Sequence, residues 1–163
     1  MSEKNRSKSE QNAAKCSSHK TFILPLRVYY EDTDAGGVVY HSNYINFFER
    51  SRTEWLRQLG YELDELAKNE QLIFVVRAVS CEYLRPAVFN DELFVSAEII
   101  ELGKTSITFE QKVMRAAKNE QEANDEGCIT LAKGNVTVVS VDVVRFKPKR
   151  LTKQILESIQ SVI

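Results

Sequence analysis

One long amphipathic helix is the feature that most restricts how this chain of 163 residues can fold. Over residues 43–59, apolar side chains recur at helical spacing, and charged side chains occupy the other side. Ser42 or Asn43 is expected to cap its start, and Gly60 is expected to end it. A helix with so broad an apolar face needs a sheet to cover it, so the sequence predicts an α+β fold in which one antiparallel sheet wraps around the helix.

The other segments have the apolar, β-branched and aromatic content of β-strands. Five strands are predicted, at residues 22–30, 72–83, 93–102, 105–114 and 128–144. Gly103 and Lys104, between two of these runs, are typical of a hairpin turn. A single five-stranded sheet leaves unpaired edges, and strands this rich in valine favour burying those edges against another subunit. We therefore expect a homo-oligomer.

The chain divides into three regions by composition. Residues 1–20 are polar and are predicted to be a disordered tail. Residues 21–150 are predicted to form a single folded domain, and residues 151–163 a C-terminal amphipathic helix. The polar, acidic stretch at residues 116–127 is expected to be a long exposed hairpin loop.

Composition excludes several classes of protein. The net charge of -1 gives no electrostatic reason to expect nucleic acid as a partner. We find no apolar run long enough to span a bilayer and no pattern of a secretory signal. The three cysteines, Cys16, Cys81 and Cys128, are widely spaced and odd in number, which disfavours a disulfide framework or a zinc site. We therefore expect a cytoplasmic protein, with Cys81 and Cys128 in the sheet.

A short segment before the long helix carries the most chemical information. Asp34 precedes the glycine pair Gly36 and Gly37, and His41 follows the acid by seven residues. This order can place a carboxylate beside the free N–H groups of a helix start. Such amides can hold an oxyanion, so the segment indicates hydrolysis of an acyl bond.

The residue pattern alone also allows other interpretations of this segment. Asp32 and Asp34 can be turn formers that make local hydrogen bonds, or part of a weakly signalled metal site. The glycines can simply form a tight turn with positive φ, because no nucleotide-binding glycine motif is present. His41 can be a hydrogen-bonding group and not a catalyst.

The segment at residues 28–56 resembles the YbgC-type acyl-CoA thioesterases of the 4-hydroxybenzoyl-CoA thioesterase superfamily. The resemblance rests on the run from Val28 through Asp34 and His41 to Tyr44, and continues to Leu56. Residues 74–77 and 82–87 are also similar to this family. The resemblance implies the hot-dog fold, in which a sheet wraps around one long helix.

The same resemblance implies hydrolysis of acyl-CoA thioesters. It places the catalytic carboxylate on Asp34, which acts as nucleophile or general base. It places the oxyanion-binding amide on the backbone N–H of His41, and it also gives this histidine a functional role of its own. It implies no metal and no cofactor, because coenzyme A is part of the substrate. We further expect Gly37 and Tyr40 beside His41 in the substrate pocket.

Several expectations concern binding and assembly. Arg85 and Lys104 are expected to contact the phosphates of coenzyme A. The family implies dimers or dimers of dimers, up to a homotetramer, with active sites between subunits. It also implies a cytoplasmic location, an association with the Tol-Pal envelope system, and acyl carrier protein as a partner.

Two other functions remain open at the level of the sequence. A hot-dog hydroxyacyl dehydratase would need a histidine with an acid, which His41 with Glu49 or Glu54 would supply. A non-enzymatic module that binds acyl carrier protein or envelope components would keep the fold without turnover.

Overall fold

The computed structural model describes residues 21–117 and 127–163. Its elements, in chain order, are β1 (Phe22–Arg27), α1 (His41–Gln58), α2 (Leu63–Asn69), β2 (Leu72–Val79), β3 (Glu82–Tyr83), β4 (Glu92–Leu102), β5 (Ser106–Ala116), β6 (Cys128–Asp142) and α3 (Lys153–Gln160). A 3-10 turn at Tyr30–Asp32 lies between β1 and α1.

The sheet is antiparallel throughout and follows the strand order β1-β4-β5-β6-β2, with the two-residue β3 as a further partner of β6. The predicted antiparallel sheet around one long helix is therefore confirmed. The predicted hairpin at Gly103 and Lys104 joins β4 to β5. Because β1 and β2 end the strand order, neither has a second partner strand among the described residues, and Val76 and Val79 on β2 are exposed.

The strand predicted over residues 72–83 is interrupted at Ser80 and Cys81, between β2 and β3. At this point the chain crosses very close to β6. A Cβ atom added to Gly134 would lie only 2.0 Å from the carbonyl oxygen of Ser80. The absence of a side chain at Gly134 thus permits the crossing that separates the two strands.

Helix α1 begins two residues earlier than predicted. Its N-cap is Tyr40, which makes no side-chain capping bond, so the expectation that Ser42 or Asn43 caps the helix is wrong. The Asn43 side chain instead donates a hydrogen bond to the carbonyl oxygen of Asp32 at 2.9 Å. Gly60, with φ of 89°, follows the end of the helix as expected.

The inner face of α1 packs against the concave face of the sheet. Phe47 and Phe48 are completely buried there, and the Trp55 ring meets Phe109 of β5 edge-on at 5.2 Å. Burial of side chains of this size supplies about 1.5–3 kcal/mol each. This packing holds the long helix in a fixed position on the sheet.

A buried polar network also links α1 to the sheet. The Arg52 guanidinium, 7% exposed, donates to the side-chain oxygen of Gln111 on β5 and to Glu49, both at 2.8 Å. The Gln111 amide donates in turn to the carbonyl oxygens of Phe48 and Ser96. Burial lowers the pKa of Arg52, and Glu49 acts in the opposite direction. Every polar atom of Gln111 is thus used inside the core.

Of the two cysteines expected in the sheet, Cys128 begins β6, whereas Cys81 lies in the break between β2 and β3. Cys81 is a free thiol, and burial raises its pKa. Cys128 is completely buried in β6 and is disulfide-bonded, so the expectation that no disulfide forms is wrong at this residue.

The C-terminal helix is shorter than the region predicted for it. Helix α3 is capped by Thr152, whose side chain accepts from the N–H of Ile155, and it buries Ile155 and Ile159. The predicted tail at 1–20 and most of the predicted loop at 116–127 lie outside the described residues, so the domain division stays a prediction. Among the described helices, none combines the length and the apolar character needed to cross a membrane.

We predict that Gln111→Leu lowers the free energy of unfolding by about 3 kcal/mol, because it leaves a buried donor of Arg52 without a partner and removes the side-chain bonds to the carbonyl groups of Phe48 and Ser96. Urea denaturation measures this change. The control is Thr108→Val, which removes only a half-buried hydroxyl pair with Thr137 and should cost about 1 kcal/mol or less. Equal losses in the two variants would contradict a structural role for the network.

Candidate functional site

The two aspartates of the Asp-Thr-Asp triplet have different environments. Asp32 is 5% exposed, and its carboxylate accepts a hydrogen bond from the N–H of Tyr29 at 2.8 Å. Its carbonyl oxygen accepts from the N–H of Tyr40 and from the Asn43 side chain, both at 2.9 Å. Asp32 is thus the turn former that the sequence allowed, and it fixes the chain as it enters α1.

Asp34 is exposed at the start of the glycine turn. Its N–H donates to the carbonyl oxygen of Val38, and its own carbonyl accepts from Gly37, both at 3.0 Å. Gly37 has φ of 77°, which confirms the predicted left-handed turn position. One carboxylate oxygen accepts from the N–H of Gly36 at 2.8 Å. The other has no hydrogen-bond partner within residues 21–117 and 127–163, so it can act on a substrate.

The start of α1 presents free backbone donors. His41 is the first helical residue, and the N–H groups of His41 and Ser42 bond to no acceptor in the part of the chain that the structure describes. The first amides of a helix lack partners inside the helix, and its dipole makes this end partly positive. The helix start can therefore hold a negatively charged oxygen.

A cleft of about 270 Å³ lies beside the helix start. Its lining residues are Val38, Val39, His41, Tyr44, Tyr83, Leu84, Arg85 and Pro86. The His41 ring lies against Tyr40 with ring centroids 4.4 Å apart, and Tyr83 meets it edge-on at 6.3 Å. The cleft thus has an aromatic wall next to the free amides.

Two tyrosines of this cleft were not among the predicted site residues. The Tyr83 hydroxyl donates to the carbonyl oxygen of His41 at 3.0 Å, and the Tyr44 hydroxyl accepts from the N–H of Ala87 at 3.0 Å. Burial raises the pKa of both hydroxyls, so both stay protonated at neutral pH. Tyr44 had the spacing of a core residue, and Tyr83 lies in the family-like segment at 82–87.

Only some of the other predicted site residues lie near this cleft. Gly37 and Tyr40 lie in the turn and at the helix cap, and Arg85 lines the cleft. Lys104 lies beyond the far end of β4, where its carbonyl accepts from the N–H of Leu151. The 11 residues of β4 separate it from the turn beside the cleft, a length of about 35 Å. Within one chain, Lys104 is remote from this site.

The acids considered for dehydratase chemistry have partners elsewhere. Glu49 accepts from Arg52 and from the Thr53 hydroxyl, one bond to each carboxylate oxygen. Glu54 pairs with Arg57. Neither carboxylate is bonded to His41 within the described ranges. No three His, Cys, Asp or Glu side chains cluster in a way that could hold a metal ion among the same residues.

A second, more enclosed cavity of about 80 Å³ lies between α1 and the sheet. Trp55, Leu56, Phe74, Ile107, Phe109 and Val138 form most of its wall. Glu49, Arg52 and Thr53 also line it. Its mostly apolar walls can accept an apolar group.

Comparisons with known proteins find a matching family and several similar proteins. Residues 36–121 match the family described as the thioesterase superfamily. The chain is 42% identical, over 134 residues, to the acyl-CoA thioesterase YbgC of Haemophilus influenzae, covering 82% of this chain and 90% of that protein. It is similar to a probable thioesterase from Bartonella henselae with a TM-score of 0.70 and 32% identity, covering 81% of this chain and 99% of that one.

A more distant solved structure shows the same fold. The 1,4-dihydroxy-2-naphthoyl-CoA thioesterase from Synechocystis has a TM-score of 0.75 at 20% identity, covering 87% of this chain and 97% of that one.

We predict that Tyr83→Phe loosens the start of α1. Loss of its bond to the His41 carbonyl should lower the free energy of unfolding by about 1 kcal/mol and speed amide hydrogen exchange in the first turn of α1. The matched control is Tyr61→Phe, which removes a hydroxyl contact with Ser158 at 2.9 Å. It should cost a similar amount without changing exchange at the helix start. Faster exchange there in both variants would argue against a specific role for Tyr83.

Proposed function

The chain belongs to the thioesterase superfamily as a YbgC-type acyl-CoA thioesterase, and from this premise we propose that the thioester is cleaved in the cleft beside His41. The reaction converts an acyl-CoA to a free acid and coenzyme A. One observation carries the assignment to this cleft. The same short segment holds one carboxylate oxygen of Asp34 and the backbone N–H groups at the start of α1, and none of these has a hydrogen-bond partner among residues 21–117 and 127–163.

The backbone at the helix start stabilises the charge that develops on the substrate. The thioester carbonyl oxygen points at the N–H of His41, and the helix dipole favours the negative charge that it gains during attack. Because Asp32 and Tyr83 fix the backbone on either side of this N–H, the donor is in place before the substrate binds.

Asp34 activates the attack by one of two routes. As general base, it takes a proton from water while the water oxygen bonds to the carbonyl carbon and the carbon–sulfur bond breaks. As nucleophile, its carboxylate displaces the thiolate to form a mixed anhydride, which water then hydrolyses to the acid and the original Asp34. Coenzyme A leaves as a thiolate in both routes, so no strong general acid is needed.

The residues around Asp34 shape the site and bind the carrier. Gly37 allows the left-handed backbone conformation of the turn beside the cleft. The rings of Tyr40 and His41 form a wall for the substrate. Arg85 lines the same cleft and is positioned to meet a phosphate of coenzyme A. Lys104 is too far away in the same chain, so its role in phosphate binding requires a second copy of the protein.

We propose a homo-oligomer with sites between subunits, an arrangement that would meet this requirement. Strand β2 has no second partner strand in the part of the chain that the structure describes, and its exposed Val76 and Val79 offer an apolar surface for such assembly. A dimer or a dimer of dimers, a cytoplasmic location, association with the Tol-Pal system and binding of acyl carrier protein are proposed from the family resemblance. The mechanism uses no metal and no cofactor beyond the coenzyme A of the substrate.

We predict that Asp34→Asn lowers kcat by at least about 100-fold, measured as thiol release from acyl-CoAs of short, long and aromatic acyl groups. Asn can still accept the bond from Gly36, so the turn and the fold are retained. The control is Asp32→Asn, which alters a buried turn former; its kcat should stay within about threefold of wild type, although its stability falls.

Wild-type turnover in Asp34→Asn would exclude Asp34 as base or nucleophile. If the unmodified protein releases no thiol from any acyl-CoA, the acyl carrier protein module becomes the better explanation. The same panel, extended to a hydroxyacyl thioester, tests dehydration directly.

We predict a smaller effect for His41→Ala, because alanine keeps the backbone N–H at the helix start. The loss of the aromatic wall should raise KM and lower kcat by about tenfold or less. Steady-state kinetics with the same substrates measures both constants. A fall in kcat as large as that of Asp34→Asn would show that the imidazole itself takes part in the chemistry.

A further inference from the structure

The turn at residues 143–148, which we call the β6 turn, displays two of the most exposed apolar side chains of the molecule. Val144 is 74% exposed and Phe146 is 70% exposed. Among the described large apolar residues, only Tyr30 is more exposed. Side chains with this much of their surface exposed to solvent lie at a convex apex and not in a groove.

The β6 turn is held in one conformation by Asp142. The N–H of Asp142 donates to the carbonyl of Lys147, and its own carbonyl accepts from the N–H of Phe146, both at 2.9 Å. The Asp142 carboxylate accepts from the N–H groups of Val144 and Arg145 at 3.0 and 2.8 Å. The apolar apex is thus presented by an ordered turn.

Phe146 occupies a backbone conformation that normally favours glycine or asparagine. Its φ of 52° lies in the left-handed region, where a bulky side chain is rare. The ring also gains little from packing, because most of it is in water. The aromatic ring of Phe146 thus stabilises neither the backbone conformation nor the core. This indicates that the ring contacts something other than its own chain.

Cations surround the apolar apex. Arg145, Lys147 and Arg150 are exposed, and none of them forms an ion pair within the described ranges. Lys104 is also exposed and unpaired there, and its carbonyl bonds to Leu151 next to Arg150. Residues 143–150 thus hold four cations and no acid, with Asp142 and Glu70 as the neighbouring acids, both next to Lys149.

We propose that the β6 turn docks the protein on a membrane surface rich in anionic lipid. Val144 and Phe146 enter the headgroup layer, and Arg145, Lys147 and Arg150 meet the lipid phosphates. A lipid layer yields around a convex apolar apex, whereas a protein receptor would need a groove of matching shape. Stable binding to a membrane surface needs two contributions, insertion of apolar side chains and attraction of basic residues to anionic lipid, and the β6 turn offers both.

The position of the turn leaves the reaction cleft accessible. Asp142, at the base of the turn, pairs with Leu72 at the beginning of β2. The chain then runs through β2 and β3 to Tyr83, whose hydroxyl reaches His41. The docking surface and the cleft therefore lie at opposite ends of the sheet, and the inference does not depend on the proposed catalytic mechanism.

Sedimentation of the full chain with vesicles tests the proposal. Vesicles of equimolar phosphatidylcholine and phosphatidylglycerol should bind the protein, and vesicles of phosphatidylcholine alone should not. Added salt should weaken the binding. Phe146→Gly should reduce the affinity by about tenfold without lowering the melting temperature, because glycine accepts the backbone angle. Phe89→Ala, an exposed aromatic residue near the cleft, should have no effect on binding.

Charge variants separate the basic contribution from the apolar one. Arg145→Gln and Lys147→Gln should each weaken binding about fivefold. Lys133→Gln is the matched control, because Lys133 lies within β6 and pairs with Glu82 at 3.1 Å; it should bind like wild type.

Three results would overturn the proposal. They are no binding of the wild-type protein to anionic vesicles, equal binding to neutral vesicles, or unchanged binding of the Phe146→Gly variant. Binding of purified acyl carrier protein that is lost in Phe146→Gly, without any vesicle binding, would assign the turn to an acidic protein instead of a membrane.

Discussion

The burial of one long helix against a single curved sheet is the constraint on which the rest of this structure depends. Phe47 and Phe48 fill the space between α1 and the sheet, and the contact between Arg52 and Gln111 fixes how the helix lies on β5. Apolar packing alone tolerates sliding, whereas a buried network with matched partners has only one good arrangement. The position of the helix start, and with it the reaction site, follows from this arrangement.

Catalysis then depends on how one short segment connects the sheet to that helix. Asp32 bonds to the backbone at the entrance to α1, whereas Asp34, two residues later, has one carboxylate oxygen with no partner in the described part of the chain. The two acids differ only in what surrounds them. A buried acid with backbone partners builds the site, and an exposed acid on a glycine turn is available for chemistry.

Much of this could be predicted from the sequence, because periodicity and turn residues act locally. The helix, most strands and the left-handed turn at Gly37 follow from such local signals. The N-cap was mispredicted because the Asn43 side chain bonds to Asp32, eleven residues earlier. The place of Tyr83 in the cleft depends on the pairing of β3 with β6. Such long-range register is invisible to local patterns.

The close crossing at Gly134 has a consequence for how mutations in this protein are interpreted. Any side chain at this position would collide with the backbone at Ser80 and push β3 away from β6. Because β3 carries Tyr83, the disturbance would reach the start of α1. A screen for lost activity would therefore mark Gly134 as essential, although it has no side chain and lies away from the reacting groups.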